Sequence, residues 1–201
     1  MQRSAGGANR AYPRAMRLDA PRLTLRPLTV ADVTPAYVGW LNDGEVTRFL
    51  ETRHSPQTAA TVRAFVEATN ANPTEHLFAM IVRGTGHHIG NIKLGGVHPI
   101  HALGEVSILI GERSVWGQGY AAEAIVRLAD HAFADLGLEK LAAGLYAANT
   151  GSERAFLPAV SGRSDGVGCG NHRATSCGES VCQCSRAAAD RFQSLEFDAG
   201  F

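Results

Sequence analysis

The chain has 201 residues, 45% of them hydrophobic, and a formal net charge of zero. That length and apolar content fit one domain with a real core, and the balanced charge gives no electrostatic case for a nucleic-acid partner. No apolar run approaches the ~18 residues of a membrane span, so no membrane partner is expected either. Residues 1–17 carry Arg3, Arg10, Arg14 and Arg17 without an acid. They lack the apolar segment of a secretory signal. A mitochondrial-type presequence would share this Arg, Ser and Ala content, but the expectation is a disordered leader over residues 1–21 and a cytoplasmic protein.

Periodicity is clear from 22 to 157. Arg22 to Leu28 alternates as a strand. Thr29-x-x-Asp32 is a capping-box start for a helix toward Leu41, with Asp where Glu or Gln is usual. Ser55-Pro56 sets an N-cap before proline at the first helical position. That helix runs to about Asn70, with Val62, Phe65 and Val66 on one face. His76 to Arg83 and His87 to Leu94 are strands around Gly84-Thr85-Gly86, a hairpin signal. Gly104 to Gly111 is the next strand. Ala121 to Leu136 is a helix stopped at Gly137. Lys140 to Ala147 is a strand, and Thr150 to Leu157 opens a last helix. The fold class is α/β (α+β), a mixed sheet flanked by helices in the order βααβββαβα.

After Leu157 the text changes. From Pro158 to Ser185 there is no sustained apolar period, and Gly, Ser, Arg and Cys dominate. One reading is a divergent, disordered tail over residues 158–201. The other is a shifted reading frame near Leu157 or Pro158. With the codons GCG, GTT, TCC, GGC and CGG for Ala159 to Arg163, the string from the third base of the first codon reads Gly-Phe-Arg-Pro. All four cysteines lie in this tail, at Cys169, Cys177, Cys182 and Cys184. Even with His172 their spacing is not that of a closed zinc site, and no metal is expected.

The stretch Glu105-Val-Ser-Ile-Leu-Ile110 followed by Trp116-Gly117-Gln118-Gly119-Tyr120-Ala121 reads as a strand, a glycine turn and a helix start. Small residues let a ligand approach the backbone. A helix start offers free N–H groups and a positive dipole end, which suit a phosphate. Neither Gly-x-x-x-x-Gly-Lys-Ser/Thr nor Gly-x-Gly-x-x-Gly is present.

This segment resembles the acyl-CoA-binding motif of the GNAT superfamily of N-acetyltransferases, in the branch with ribosomal-protein N-terminal and amino-sugar acetyltransferases. Trp116, Gly119 and Ala121 stand at the marked positions of its Gln/Arg-x-x-Gly-x-Gly/Ala turn. The resemblance extends over Leu25-Arg26-Pro27-Leu28, Trp40-Leu41-Asn42-Asp43 with Glu45-Val46, His88 to Leu94, and Asn149 to Phe156. It implies two further strands after the last helix, and neither is visible in the sequence.

The resemblance further implies acetyl-CoA as co-substrate. Gln118, Gly119, Tyr120 and Ala121 would meet its pyrophosphate through backbone amides, with Trp116 and Gly117 shaping the turn. Ser107, Ile108, Leu109 and Ile110 would pair with pantetheine, an amide near Leu109 facing the thioester oxygen. Asn149 and Ser152 would contact the cofactor. Glu105 and His101 are rival bases for the amine, a carboxylate against an imidazole. A tyrosine acid in relatives is Phe156 here, which leaves water, Tyr146 or Ser152 to protonate the thiolate. Trp40, Asn42, Asp43 and Glu45 would border the acceptor. The implied acceptor is a small-molecule amine, an amino-sugar nucleotide first and a protein N-terminus second. Loss of the last strands would leave an inactive remnant, or an open edge through which a homodimer forms.

Overall fold

The computed structural model describes residues 16–98, 100–161 and 179–185. Seven strands form one sheet in chain order. They are β1 (Leu18–Asp19), β2 (Leu23–Pro27), β3 (His76–Val82), β4 (His88–His98), β5 (Leu103–Ile110), β6 (Lys140–Tyr146) and β7 (Glu179–Ser185). Neighbours pair antiparallel except β5 and β6, which run parallel. A parallel pair needs a crossover, supplied by α4 (Tyr120–Ala134). The remaining helices are α1 (Pro35–Asn42), α2 (Gly44–Thr47), α3 (Ala59–Ala71) and α5 (Thr150–Ser161).

The sheet separates two apolar layers, and β3 shows why. Its side chains alternate with the strand period of two. Leu77 and Ala79 pack with Tyr37, Trp40, Val62 and Val66 of α1 and α3. Phe78 and Met80 pack with Ile125, Leu128 and Phe133 of α4. With Ala124, Ala129 and Ala132 of the same layer, the α4 residues recur three and four apart, as an amphipathic helix requires. No helix among the described residues is long and apolar enough to cross a membrane.

Local starts differ from the sequence reading in three places. The Thr29–Asp32 box closes a separate 3-10 turn, Val30–Asp32, and α1 begins anew at Thr34, whose side chain accepts the Tyr37 amide ahead of Pro35. Burial would raise the Asp32 carboxyl, but the Arg26 guanidinium and the Thr29 amide and hydroxyl outweigh it and hold it at about 2. Helix α3 starts at Thr58, not Ser55, because Thr58 and Thr61 cap each other reciprocally. The leader expected over residues 1–21 ends earlier. Leu18 is buried, and β1 pairs with β2 at Leu18↔Leu25 and Asp19↔Thr24. Residues 1–15 lie outside the described residues.

The tail also needs a correction. Of the two strands expected to be missing, one is present. β7 pairs with β6 from Lys140↔Ser185 to Tyr146↔Glu179. It covers the edge that β6 would otherwise leave open. Its residues carry no sustained apolar run, so a backbone ladder rather than a sequence pattern sets it in place. Cys169, His172 and Cys177, with most of the segment read as out of frame, lie outside the described residues.

Candidate active site

β5 and β6 pair only from Leu103↔Lys140 to Glu105↔Ala142. Past that point the two strands splay, and a cleft of about 490 Å³ opens beside them. Its walls include Ile108, Leu109 and Ile110 of β5, Trp116, Gly117 and Ala121 of the following turn, and Ala148, Asn149, Ser152 and Ala155 at the start of α5. Glu45, Arg48 and Phe49 border it from α2 and beyond.

The ladder phase decides which backbone groups face the cleft. The Gly111 amide donates to the Ile89 carbonyl at 3.0 Å. In an antiparallel pair hydrogen-bonded and non-hydrogen-bonded residues alternate. Given Asn91↔Leu109 and Gly90↔Ile110, Leu109 turns its amide to β4, whereas Ile108 and Ile110 turn theirs toward the splay. The amide expected near Leu109 is therefore that of Ile108 or Ile110. The Ile110 carbonyl on that side is taken by Trp116 Nε1 at 3.0 Å, which ties the half-exposed indole to the cleft wall.

Gly119 caps α4 at φ 81°, a left-handed conformation in which a side chain is costly. It delivers the chain to a helix whose first amides lack intrahelical acceptors. Gln118 is the exception in the turn. Its amide donates back to the Val115 carbonyl, and its side chain donates to the Ser114 carbonyl at 2.9 Å. Two residues that sequence reasoning missed hold this turn from behind. The Glu123 carboxylate accepts from the Arg22 amide at 2.6 Å, Arg22 Nε at 2.7 Å and the Leu23 amide at 3.0 Å. Arg22 also donates to the Gln118 carbonyl at 3.0 Å and lies 4.5 Å from the centroid of the Tyr120 ring. The signal was the pairing of one acid in the first turn of the helix with an arginine about 100 residues earlier, which no local pattern displays.

A second cavity, of about 210 Å³, lies on the α1 and α3 face. Ile108 and Leu109 wall both spaces. The rest of this cavity is Tyr37 and Leu41 of α1, Thr52, Gln57, Val62 and Phe65, then Leu77, Asn91, Lys93 and Ser107 from the sheet. Burial pushes the Tyr37 hydroxyl up to about 12, against a downward pull from Asn91. His88 is held neutral by burial, and its Nε2 donates to Asn91 Oδ1 at 2.9 Å. Although Asn91 adjoins Tyr37, neither Asn91 Nδ2 nor Thr52 Oγ1 has a contact of hydrogen-bond geometry among the described residues, and both atoms are buried. A buried polar atom left so costs about 1–3 kcal/mol. Lys93 is held by Glu75 at 2.9 Å.

The other expected site residues divide. Ser152 and Asn149 are in the cleft wall, with Asn149 Oδ1 also capping α5 through the Ser152 amide at 3.1 Å. Glu45 borders the cleft rather than the second cavity. Ser107 lines the cavity, not the cleft. Glu105 is exposed and lines neither, but shares the sheet face of Ser107 and Leu109. His101 stays outside both, its ring centroid 4.3 Å from that of His98. The Tyr146 hydroxyl donates to Glu51 and accepts from Arg53 at 3.2 Å. Three of the expected acceptor residues make structural contacts. Trp40, 9% exposed, is core; it fills the space where a Cβ on Gly111 would meet its ring at 2.0 Å. Asn42 braces the loop through the Gln57 amide and carbonyl at 2.9 and 2.8 Å. Asp43 caps α2 through the Glu45 amide. Their polarity or size marked them in the sequence, but each is spent on local structure.

The chain was compared with known proteins. Residues 22–157 match the family described as acetyltransferase (GNAT) domain. An uncharacterized N-acetyltransferase, p20 of Bacillus licheniformis, is 29% identical over 150 residues, which cover 73% of this chain and 82% of that one. Among solved structures, the GNAT-family acetyltransferase from Bacillus anthracis is 21% identical with a TM-score of 0.65, over 86% of this chain and 99% of that one. Spermidine N-acetyltransferase from Vibrio cholerae, in complex with CoA and spermine, is 21% identical with a TM-score of 0.60, over 68% of this chain and 79% of that one. The splayed strands, the glycine-capped helix and this family match agree, and the chain belongs to the GNAT acetyltransferases.

Proposed function

We propose that this acetyl-CoA-dependent N-acetyltransferase acts on the primary amine of a small molecule bound in the 210 Å³ cavity. The observation that carries the reading is the shared wall at Ile108 and Leu109. Donor and acceptor entering from opposite sides would meet on two residues of one strand, the proximity that amine acylation needs.

The residues present fit the co-substrate. The first-turn amides at Gly119, Tyr120 and Ala121 would take its pyrophosphate. The Ile110 amide would pair with the pantetheine arm, and the Ile108 amide, nearest the point of splay, would donate to the thioester oxygen. Bound acetyl-CoA supplies an activated acyl thioester. Ser152, in the cleft wall, would return a proton to the leaving sulfur, since Phe156 is buried and has none to give. Glu105 lies three residues, about 10 Å, along the strand from Ile108. That is beyond direct reach, so the amine proton would pass by way of the Ser107 hydroxyl, which lines the cavity.

The finer acceptor expected from the sequence is an amino-sugar nucleotide, with a protein N-terminus as the alternative. The test is calorimetric titration of acetyl-CoA, followed by thiol release with aminodeoxysugar nucleotides and N-terminal peptides. One saturable site with acceptor-dependent thiol release is expected. A cooperatively folded chain that does not bind acetyl-CoA would instead be an inactive remnant.

A further inference from the structure

We infer that the acceptor is a free α-amino acid with an apolar side chain; the inference rests on the acetyl-transfer reading above and deepens it. Three properties of the second cavity lead there. Its floor is aliphatic and aromatic, from Leu41, Val62, Phe65 and Leu77, and among the described residues Lys93 is the only charged one in its lining. A polyamine would set a second ammonium against that apolar floor and beside Lys93, with no carboxylate among the described lining residues to receive it. The cavity therefore accepts an uncharged arm.

The polar wall specifies what accompanies the arm. Asn91 is 5% exposed; its Oδ1 faces His88 Nε2 and its Nδ2 adjoins Tyr37, which leaves at least one of the two amide N–H donors for a ligand. Asn91 pairs with Leu109 across the ladder, and Lys93 with Ser107. The two side chains are thus consecutive on one face of β4, next to the residues where the acetyl group would arrive. An ammonium group has three donors, and the ion pair with Glu75 meets Lys93 Nζ through one carboxylate oxygen at 2.9 Å. Asn91 and Lys93 together present donors to an oxygen anion one or two bonds from the amine. A carboxylate on the α-carbon meets that requirement, and the side chain then lies on Leu41, Val62, Phe65 and Leu77. A cavity of about 210 Å³ is below the ~300 Å³ of ordinary ligand pockets, which suits an amino acid and not a nucleotide-linked sugar. In the reaction the amine nitrogen gains the acetyl carbon, the carbon–sulfur bond breaks, and one amine proton leaves toward Glu105 as the thiolate is protonated.

The experiment measures acetyl transfer by the full chain to L-leucine, glycine, isoamylamine, putrescine, glucosamine 1-phosphate and a leucine-initiated peptide. We expect kcat/KM for L-leucine at least tenfold above glycine, which lacks the arm, and above isoamylamine, which lacks the carboxylate. Lys93→Met should erase most of the leucine-over-isoamylamine ratio. Phe65→Glu, at a position 48% exposed where folding is not at stake, should move preference toward putrescine. Parity of leucine with isoamylamine or glycine overturns the inference, as does a better rate with putrescine, the amino sugar or the peptide; each of these leaves acetyl transfer standing. Failure to bind acetyl-CoA and to acetylate any amine sinks the transfer reading and the inference together.

Discussion

The cleft and the cavity touch at Ile108 and Leu109, yet they are made of different materials. The cleft offers backbone: the Ile108 and Ile110 amides freed by the splay, and the first turn of α4 behind Gly119. The cavity offers side chains gathered from α1, α3, the segment between α2 and α3, and three strands. A site made of backbone tolerates many side chains but few changes of conformation. A site made of side chains has the opposite sensitivity, so substitutions should separate the two.

The largest expected effect is on the wall that looked like a substrate platform. Trp40→Ala should destabilise the fold by about 3–5 kcal/mol, read from urea denaturation, because the indole fills the space above Gly111 and adjoins His88 at 5.1 Å between ring centroids. A loss under about 1 kcal/mol, together with a raised KM for the amine, would return Trp40 to the acceptor site.

Next comes the base. Glu105→Gln should lower kcat roughly 100-fold, within the range for general base catalysis, with little change in KM for acetyl-CoA. Thiol release at saturating acetyl-CoA and amine, compared between the two proteins, measures the loss. A kcat within about twofold of wild type would move the role to another group.

These two residues also show what was legible. The cleft could be read because its signature is contiguous: a strand, Gly117, Gly119 and Ala121 lie within 17 residues of Glu105. Even there the ladder phase was not legible, so the donor amide was placed near Leu109 and not at Ile108 or Ile110. The cavity could not be read, because Tyr37, Thr52, Phe65, Asn91 and Lys93 share no spacing. The sequence pointed instead to Trp40, Asn42 and Asp43, whose polarity or size is consumed by packing and caps. The strand at Glu179–Ser185 was illegible for a third reason, since an edge partner held by backbone bonds needs no apolar alternation.

On the cleft side, Gly119→Val should raise KM for acetyl-CoA roughly tenfold, the equivalent of the 1–2 kcal/mol that a left-handed conformation costs an ordinary residue. Turnover of saturated enzyme should hold. If kcat falls while KM stays, the turn acts on chemistry and not on binding.

The smallest effect falls on the brace behind that turn. Glu123 puts a carboxylate in the first turn of α4, beside the place proposed for the pyrophosphate, where its charge opposes the dipole's attraction for an anion. Arg22 answers it at 2.7 Å while holding the Gln118 carbonyl. Arg22→Gln should therefore raise KM for acetyl-CoA about threefold to tenfold, less than Gly119→Val because the amides themselves remain and the Arg22 side of the pair is half exposed. The same loss follows whether Arg22 acts as a mechanical tie or as a neutralising charge, and a double-mutant cycle separates them. Adding Glu123→Gln removes the uncompensated carboxylate. If charge is the cause, the double variant recovers part of the affinity lost by Arg22→Gln. If the tie is the cause, it binds worse still, because Glu123 also takes the Arg22 and Leu23 amides that join β2 to α4. Recovery is the expected result, since those backbone donors can bond a glutamine oxygen as well as a carboxylate.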